Sequence, residues 1–255
     1  MKKYAWGCKV KAAEQILDLY ECFAEGQAPM TLSELARALD MAPSTCFNLV
    51  RTFESRGFLY ATGQGRALYP TKRMLILTRD IAQHDPIGTA VVRCLSELRD
   101  ATEETIVLAN RTRDFVTYLE VLESQHRIRF SARVGETRPV QINSMGKALI
   151  SLMPPDERDA LAAELVFNKV TDRSLDNKYA YLADIERSIP RGWFLNDGES
   201  VTDVIAMAVP IIIHGSAFAI ALAGPRHRVE NRIPELAERI KEARDKLLIS
   251  GAGAS

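Results

Sequence analysis

Apolar residues recur at helical spacing over residues 10–24, where Ile16, Leu17, Tyr20 and Phe23 fall on one side. "EGQAPM" ends that pattern, and "TLSE" then places Thr31 and Glu34 at capping-box spacing, which predicts a short helix running through Leu39. "DMAP" turns the chain. A third helix follows with Ser44 as its expected N-cap, Cys46, Leu49, Val50 and Phe53 as its apolar stripe, and Gly57 as its stop. "FLY" and "ALY" flank "ATGQGR" as two short strands joined by a glycine-containing hairpin. Three helices and a hairpin within some sixty residues is the order of a winged helix-turn-helix, whose third helix enters a DNA major groove.

"TKRMLILTRDIAQ" continues as a helix with Met74, Leu75, Leu77 and Ile81 apolar, a connector between domains. After Asp85-Pro86 a helix runs to Ala101, and the period then changes to that of strands in "TIVLAN", "FVTYLEVL" and "RIRFSA". "VGETRPV" reads as a loop. Helices follow in "NSMGKALISLM", "PPDERDALAAEL" and "DNKYAYLADIERSIPRG", then strands in "WFLNDGES", "VIAMAVPIII" and "AFAIALAG". A last amphipathic helix keeps Ile233, Leu236, Ile240, Ala243 and Leu247 in register. The expected organisation is α+β: a winged helix-turn-helix domain over 1–70, a linker helix over 71–85, and a domain over 86–255 built on a central antiparallel sheet.

Composition narrows the function classes. The 255 residues are 47% hydrophobic with 33 basic against 33 acidic side chains, so no global field draws the chain to nucleic acid or membrane. A mild basic bias sits at the start, with 11 Lys and Arg against 8 Asp and Glu over residues 1–80. Cys8, Cys22, Cys46 and Cys94 are scattered and predict reduced thiols, and the four histidines show no zinc spacing. No signal-peptide core precedes the first helix, and apolar runs of about ten residues are too short to span a bilayer. A cytoplasmic protein without cofactor or metal, and with no membrane partner, is expected.

Candidate chemistry falls in four places. On the third helix, Ser44 and Thr45 can hold a phosphate at the helix start, Asn48 can pair with adenine, Arg51 can take guanine or phosphate, and Phe47 can press on a thymine methyl. Thr31, Gln64 and Arg66 complete the expected DNA-facing set, with Lys2, Lys3, Lys9 and Lys11 adding phosphate contacts. The competing reading is a solvated helix face. In "NSMGK", Ser144 and Lys147 have S-x-x-K spacing, which allows a Ser-Lys acyl hydrolase. The same stretch, read as a helix start, offers N–H groups to a carboxylate through Asn143, Ser144 and Met145. In "NDGES", Asp197 and Glu199 share a face if extended. Ala206, Ala208, Ala221 and Ala223 on neighbouring strands leave space for a roomy apolar pocket, such as one for an aromatic acid, or else pack as plain core.

Both halves resemble the IclR family of bacterial transcription regulators. The first half does so through "TLSELARALDMAPSTCFNLVRTFESRGFLY". The second does so through "VGETRPVQINSMGKALIS", "RGWFLNDGES", "IAMAVPI" and "IALAGP", taken in order. The resemblance implies a DNA-binding domain, a linker helix that helps dimerise it, and a GAF-like effector domain in a homodimer or homotetramer. It also implies that the Ser144 and Met145 amides receive an acidic ligand, and that an acid of "NDGES" meets a hydroxyl of that ligand. The sequence departs from the family at Phe47 and Asn48, where many members carry a basic or His-Arg pair, and at Gly198, where an acidic residue is more usual. The expected partners are a double-stranded DNA operator, a small organic acid, aromatic and hydroxylated in the fullest form of this reading, and further copies of the chain. RNA polymerase is kept as a candidate. The rival to all of this outside the enzyme class is a ligand sensor that does not read DNA sequence.

Overall fold

A computed structural model describes residues 10–63, 66–85 and 87–249. The chain divides into two compact units between Asp85 and Pro86. In the first unit, helices α1 (Lys11–Gly26), α2 (Leu32–Ala38) and α3 (Pro43–Ser55) precede the antiparallel hairpin β1 (Leu59–Thr62) and β2 (Ala67–Pro70), and α4 (Arg73–Ala82) follows. Thr31 closes the expected capping box: its hydroxyl accepts from the Glu34 N–H while Glu34 reaches back to the Thr31 N–H. These bonds hold the Glu34 carboxyl below its usual range.

The core of this unit gathers Leu19, Phe23, Leu35, Cys46, Val50, Phe53, Leu59 and Leu68. Two expectations are corrected. The buried stripe of α1 runs through Leu19 and Phe23, with Leu17 63% exposed, because Leu17 lies one residue off the i, i+3, i+4 face that meets α2 and α3. The N-cap of α3 is Ala42 with Pro43 at the first helical position, so Ser44 lies inside the first turn. No residue of α4 is buried; Leu75, Ile76, Leu77 and Ile81 are exposed.

The second unit opens with α5 (Thr89–Thr102), then β3 (Thr105–Thr112), β4 (Phe115–Leu122) and the short β5 (Thr137–Pro139). Helices α6 (Ser144–Ile150), α7 (Pro155–Glu164) and α8 (Lys178–Ser188) come next. Then β6 (Phe194–Asp197), β7 (Val204–Ile213), β8 (Ser216–Pro225), a single turn α9 (Arg226–Val229) and α10 (Ile233–Ile249) complete it. The six strands form one antiparallel sheet in the order β5-β4-β3-β8-β7-β6.

Strand alternation gives the sheet two buried faces. Ile106, Leu108, Ile205, Met207, Ile220 and Leu222 pack with residues of α5 and α10 such as Leu95, Leu236 and Ile240. The intervening residues Val107, Ala109, Ala208, Ala219 and Ala221 pack with Met145, Leu149, Tyr181 and Ile185 of α6 and α8. "RIRFSA" forms no strand: β5, in the segment expected to be a loop, takes the free edge of β4, and the Phe130 carbonyl is tied instead to the Thr105 hydroxyl at 2.6 Å.

Candidate functional site

The outer face of α3 is set by its burial. With Cys46, Val50 and Phe53 in the core, Ser44, Thr45, Phe47, Asn48 and Arg51 are exposed along one side of the helix. Phe47 is 46% exposed, and the Arg51 guanidinium lies 5.8 Å from its ring centroid. Arg66 is exposed in the hairpin turn with a positive φ of 48°. Gln64, Lys2, Lys3 and Lys9 lie outside the described residues. Thr31 does not join this face: its hydroxyl donates to Glu34 at 2.8 Å as part of the cap.

In the second unit, a cavity of ≈ 50 Å³ is lined by Tyr118, Phe130, Arg138, Asn143, Ser144, Met145, Asn196, Ser200, Ala206, Ala221 and Ala223, with Val107, Ile142, Val201 and Val204. The sheet register explains this set. Asn196, Ala206, Ala223 and Thr105 lie across four neighbouring strands in one row. Asn143 caps α6, accepting from the Met145 N–H at 2.9 Å through its side-chain oxygen, so the Met145 amide is already bonded within the chain. Its amide nitrogen faces the Tyr118 hydroxyl at 3.4 Å. Burial raises the Tyr118 pKa, which keeps that hydroxyl protonated. The Ser144 Oγ is buried and has no partner among the described residues.

Three expected residues lie elsewhere. Asp197 pairs with Arg173 at 2.7 Å and Arg226 at 2.6 Å, outside the cavity. Glu199 is buried and bonded to Lys147 at 2.5 Å. Ala208 packs in the core and is not part of the cavity lining. For Asp197 the parity of β6 is the reason: Phe194 and Asn196 turn to the buried face, so Asp197 turns away. Gly198 has φ +77°, and a Cβ there would meet Arg226 Nη2 and the Thr202 carbonyl at 2.8 Å each. This accounts for glycine where an acidic side chain is more usual.

The profile of the IclR helix-turn-helix domain matches residues 12–63, and that of the bacterial transcriptional regulator IclR C-terminal domain matches residues 80–248. The chain belongs to the IclR family. The HTH-type transcriptional regulator BhcR of Paracoccus denitrificans is 26% identical over 241 residues, covering 93% of this chain and 86% of its own. The Thermotoga maritima IclR structure superposes with a TM-score of 0.76 at 17% identity, covering 92% of this chain and 96% of that one. An IclR homolog from Microbacterium hydrocarbonoxydans, complexed with 4-hydroxybenzoate, superposes with a TM-score of 0.68 at 20% identity, covering 91% and 95%.

IclR-family membership makes this chain a transcriptional regulator with a helix-turn-helix domain and an effector-binding C-terminal domain. The curated relatives are regulators and not enzymes. The geometry agrees on the Ser-Lys alternative. The Lys147 ammonium is fully buried, and its three donors go to Asp184 at 2.8 Å, the Leu195 carbonyl at 2.9 Å and Glu199. An ammonium held in this way has no lone pair with which to take a proton from Ser144.

Sequence reasoning missed Tyr118, Arg138, Asn196 and Ser200. Asn196 was legible from alternation along "FLND", whereas Tyr118 and Arg138 depend on strand pairing that no local pattern announces. Burial raises the Glu199 pKa despite the opposing pull of Lys147. A raised folded-state pKa means the native state holds a proton that the unfolded chain has released, so stability falls as pH rises from the ordinary carboxylate range to the raised value. The Glu199→Gln variant lacks this titration. Its stability relative to the native chain should improve as pH rises through that window, measured by urea midpoints from pH 4 to 8; a constant difference would contradict the assignment.

Proposed function

We propose that α3 reads an operator, with Ser44 and Thr45 holding the phosphate backbone, Asn48, Arg51 and Phe47 facing base edges, and Arg66 reaching the backbone beside the hairpin. The C-terminal unit binds a compact carboxylate, and ligand binding changes operator affinity by favouring one arrangement of the DNA-binding domains. The exposed apolar side chains of α4, Leu75, Ile76, Leu77 and Ile81, support a homo-oligomer joined through that helix, since so many large apolar groups on one short helix are unusual for a surface that stays in water. The domain roles follow the expected limits 1–70, 71–85 and 86–255.

The observation that carries the effector reading is the Ser144 hydroxyl. A buried hydroxyl without a partner costs about 1–3 kcal/mol, and here it belongs to the lining of a cavity that also includes Arg138. A carboxylate accepting from Ser144 answers that hydroxyl, and Arg138, already paired with Glu136, adds positive charge to the same lining. The size of the space favours a short aliphatic acid: ≈ 50 Å³ is well below the roughly 150 Å³ of an apolar cavity that takes up benzene. Alanines line the cavity as expected, but Tyr118, Phe130 and Met145 fill the room they leave. An aromatic hydroxy acid, the class held by the Microbacterium homolog, requires these walls to move.

A thermal-shift series tests this reading with acetate, glyoxylate, pyruvate, succinate and 4-hydroxybenzoate, each beside its neutral amide where one exists. At least one short acid should raise the midpoint while its amide does not. Ser144→Ala should weaken that acid about tenfold, the loss of one hydrogen bond to a charged group. Midpoints that no acid moves, or an unchanged affinity in Ser144→Ala, would refute it.

A further inference from the structure

An exposed arginine on a helix surface samples many rotamers, and ordering it on DNA costs free energy. Among the described residues Arg51 has no ion-pair partner. What lies against it is the Phe47 ring, one helical turn earlier, at 5.8 Å. Phe47 is absent from the core of the first unit and is 46% exposed, so the packing of the domain does not account for it. Two nearby hydroxyls are spent on the helix backbone: Thr52 donates to the Asn48 carbonyl at 2.9 Å, and Ser55 to the Thr52 carbonyl at 2.9 Å.

We propose that Phe47 and Arg51 act as one reading unit, in which the phenyl ring is a positioning residue that holds the guanidinium toward guanine while its own edge meets a thymine methyl. The inference rests on α3 being the DNA-reading helix. The chemistry follows from the groove: guanine offers two acceptors suited to a guanidinium, and thymine offers the one apolar group on the major-groove edge. The spacing limits where the two bases stand. A centroid-to-guanidinium distance of 5.8 Å compares with about 3.4 Å between stacked base pairs. The T·A and G·C pairs therefore lie no more than two steps apart. Placing an aromatic and an arginine in the same groove also explains how a helix with so little positive charge can select a sequence: charge fixes affinity for any DNA, and this pair fixes choice.

In vitro selection from random duplex DNA, carried out with the full chain, tests the unit. The native chain should enrich sites with a guanine and a thymine within two steps of each other in each half-site. Phe47→Ala should flatten the preference at both positions and weaken the selected site about tenfold, with non-specific affinity and the salt slope unchanged. Phe47→Tyr, which keeps the ring, should restore the guanine preference. In an Arg51→Ala background, Phe47→Ala should cost less than threefold more, because the guanidinium it positions is gone. The unit is overturned if Phe47→Ala loses thymine preference alone, or if its effect is the same in both backgrounds. A native chain that enriches no motif overturns the reading of α3 and this inference together, whereas a native motif that survives Phe47→Ala overturns only the inference. Circular dichroism of Phe47→Ala, expected to match the native chain, checks that its core is untouched.

Discussion

Replacing Lys147 with methionine is expected to lower the unfolding free energy of the C-terminal unit by about 3–5 kcal/mol, the cost of stripping one partner from a buried ion cluster. The ammonium has no solvent contact and ties α6 to α8 through Asp184, to β6 through the Leu195 carbonyl, and to the following loop through Glu199. Methionine fills most of the volume but leaves Glu199, which is buried and already resists ionisation, with no counter-charge. The loss should therefore shrink as pH falls into the carboxylate range and Glu199 takes up a proton. Replacing all three charged groups at once, as Lys147→Met with Asp184→Asn and Glu199→Gln, should recover part of the stability. Urea unfolding followed by Trp193 fluorescence in a Trp6→Phe background reads the unit directly, since Trp193 packs against its core. A change within 1 kcal/mol at pH 7 would show that the cluster is not what holds α6 in place.

Gly146→Ala should be nearly as severe, for a steric reason. A Cβ at this position would lie 2.2 Å from the Val140 carbonyl oxygen and 2.5 Å from the Val140 Cα. Those are backbone atoms of the turn that leads into α6, so no side-chain rotation relieves the contact and α6 must move away. Overpacking of this kind costs about 1–3 kcal/mol, and a backbone clash belongs at the upper end of that range. The displacement also reaches the site, because Ser144 and Met145 on the same helix line the cavity and the Val140 carbonyl accepts from the Tyr181 hydroxyl at 3.1 Å. A Gly146→Ala chain that keeps native stability, together with an unchanged thermal response to the stabilising acid, would contradict this geometry.

What could be read from the sequence divides along physical lines. In the first unit local signals placed the Thr31–Glu34 cap, the Cys46-Val50-Phe53 stripe and the Gly57 stop, each set by residues within a few positions of one another, but misplaced Leu17 on the stripe of α1 and Ser44 at the N-cap of α3. They were sufficient for the cavity residues Ser144, Ala206, Ala221 and Ala223, because a helix start and two alternating strands announce themselves. They failed where tertiary pairing decides. "RIRFSA" has strand-like alternation, yet β5 occupies the edge it would have needed. Asp197 has the chemistry to meet a hydroxyl, yet one residue of parity on β6 sends it to Arg173 and Arg226 and brings Asn196 inward. Lys147 followed a motif spacing for acyl transfer, yet its partners lie 37 and 52 residues away in sequence. The orientation of Phe47, ambiguous from periodicity because it lies on the flank of the stripe, is outward and against Arg51.

If α3 selects a DNA sequence and the C-terminal unit controls that selection through a small acid, one pair of titrations reads both roles. The full chain is titrated against the duplex recovered by selection and against a scrambled duplex of the same composition. Both titrations are run at fixed salt, with and without the carboxylate that gives the largest thermal shift. The selected duplex should bind at least a thousandfold more tightly than the scrambled one, and the acid should change that affinity by fivefold or more while leaving the scrambled duplex unaffected. Equal affinity for the two duplexes, or a selected-site affinity indifferent to every acid that stabilises the chain, would contradict this coupling of DNA reading to acid binding.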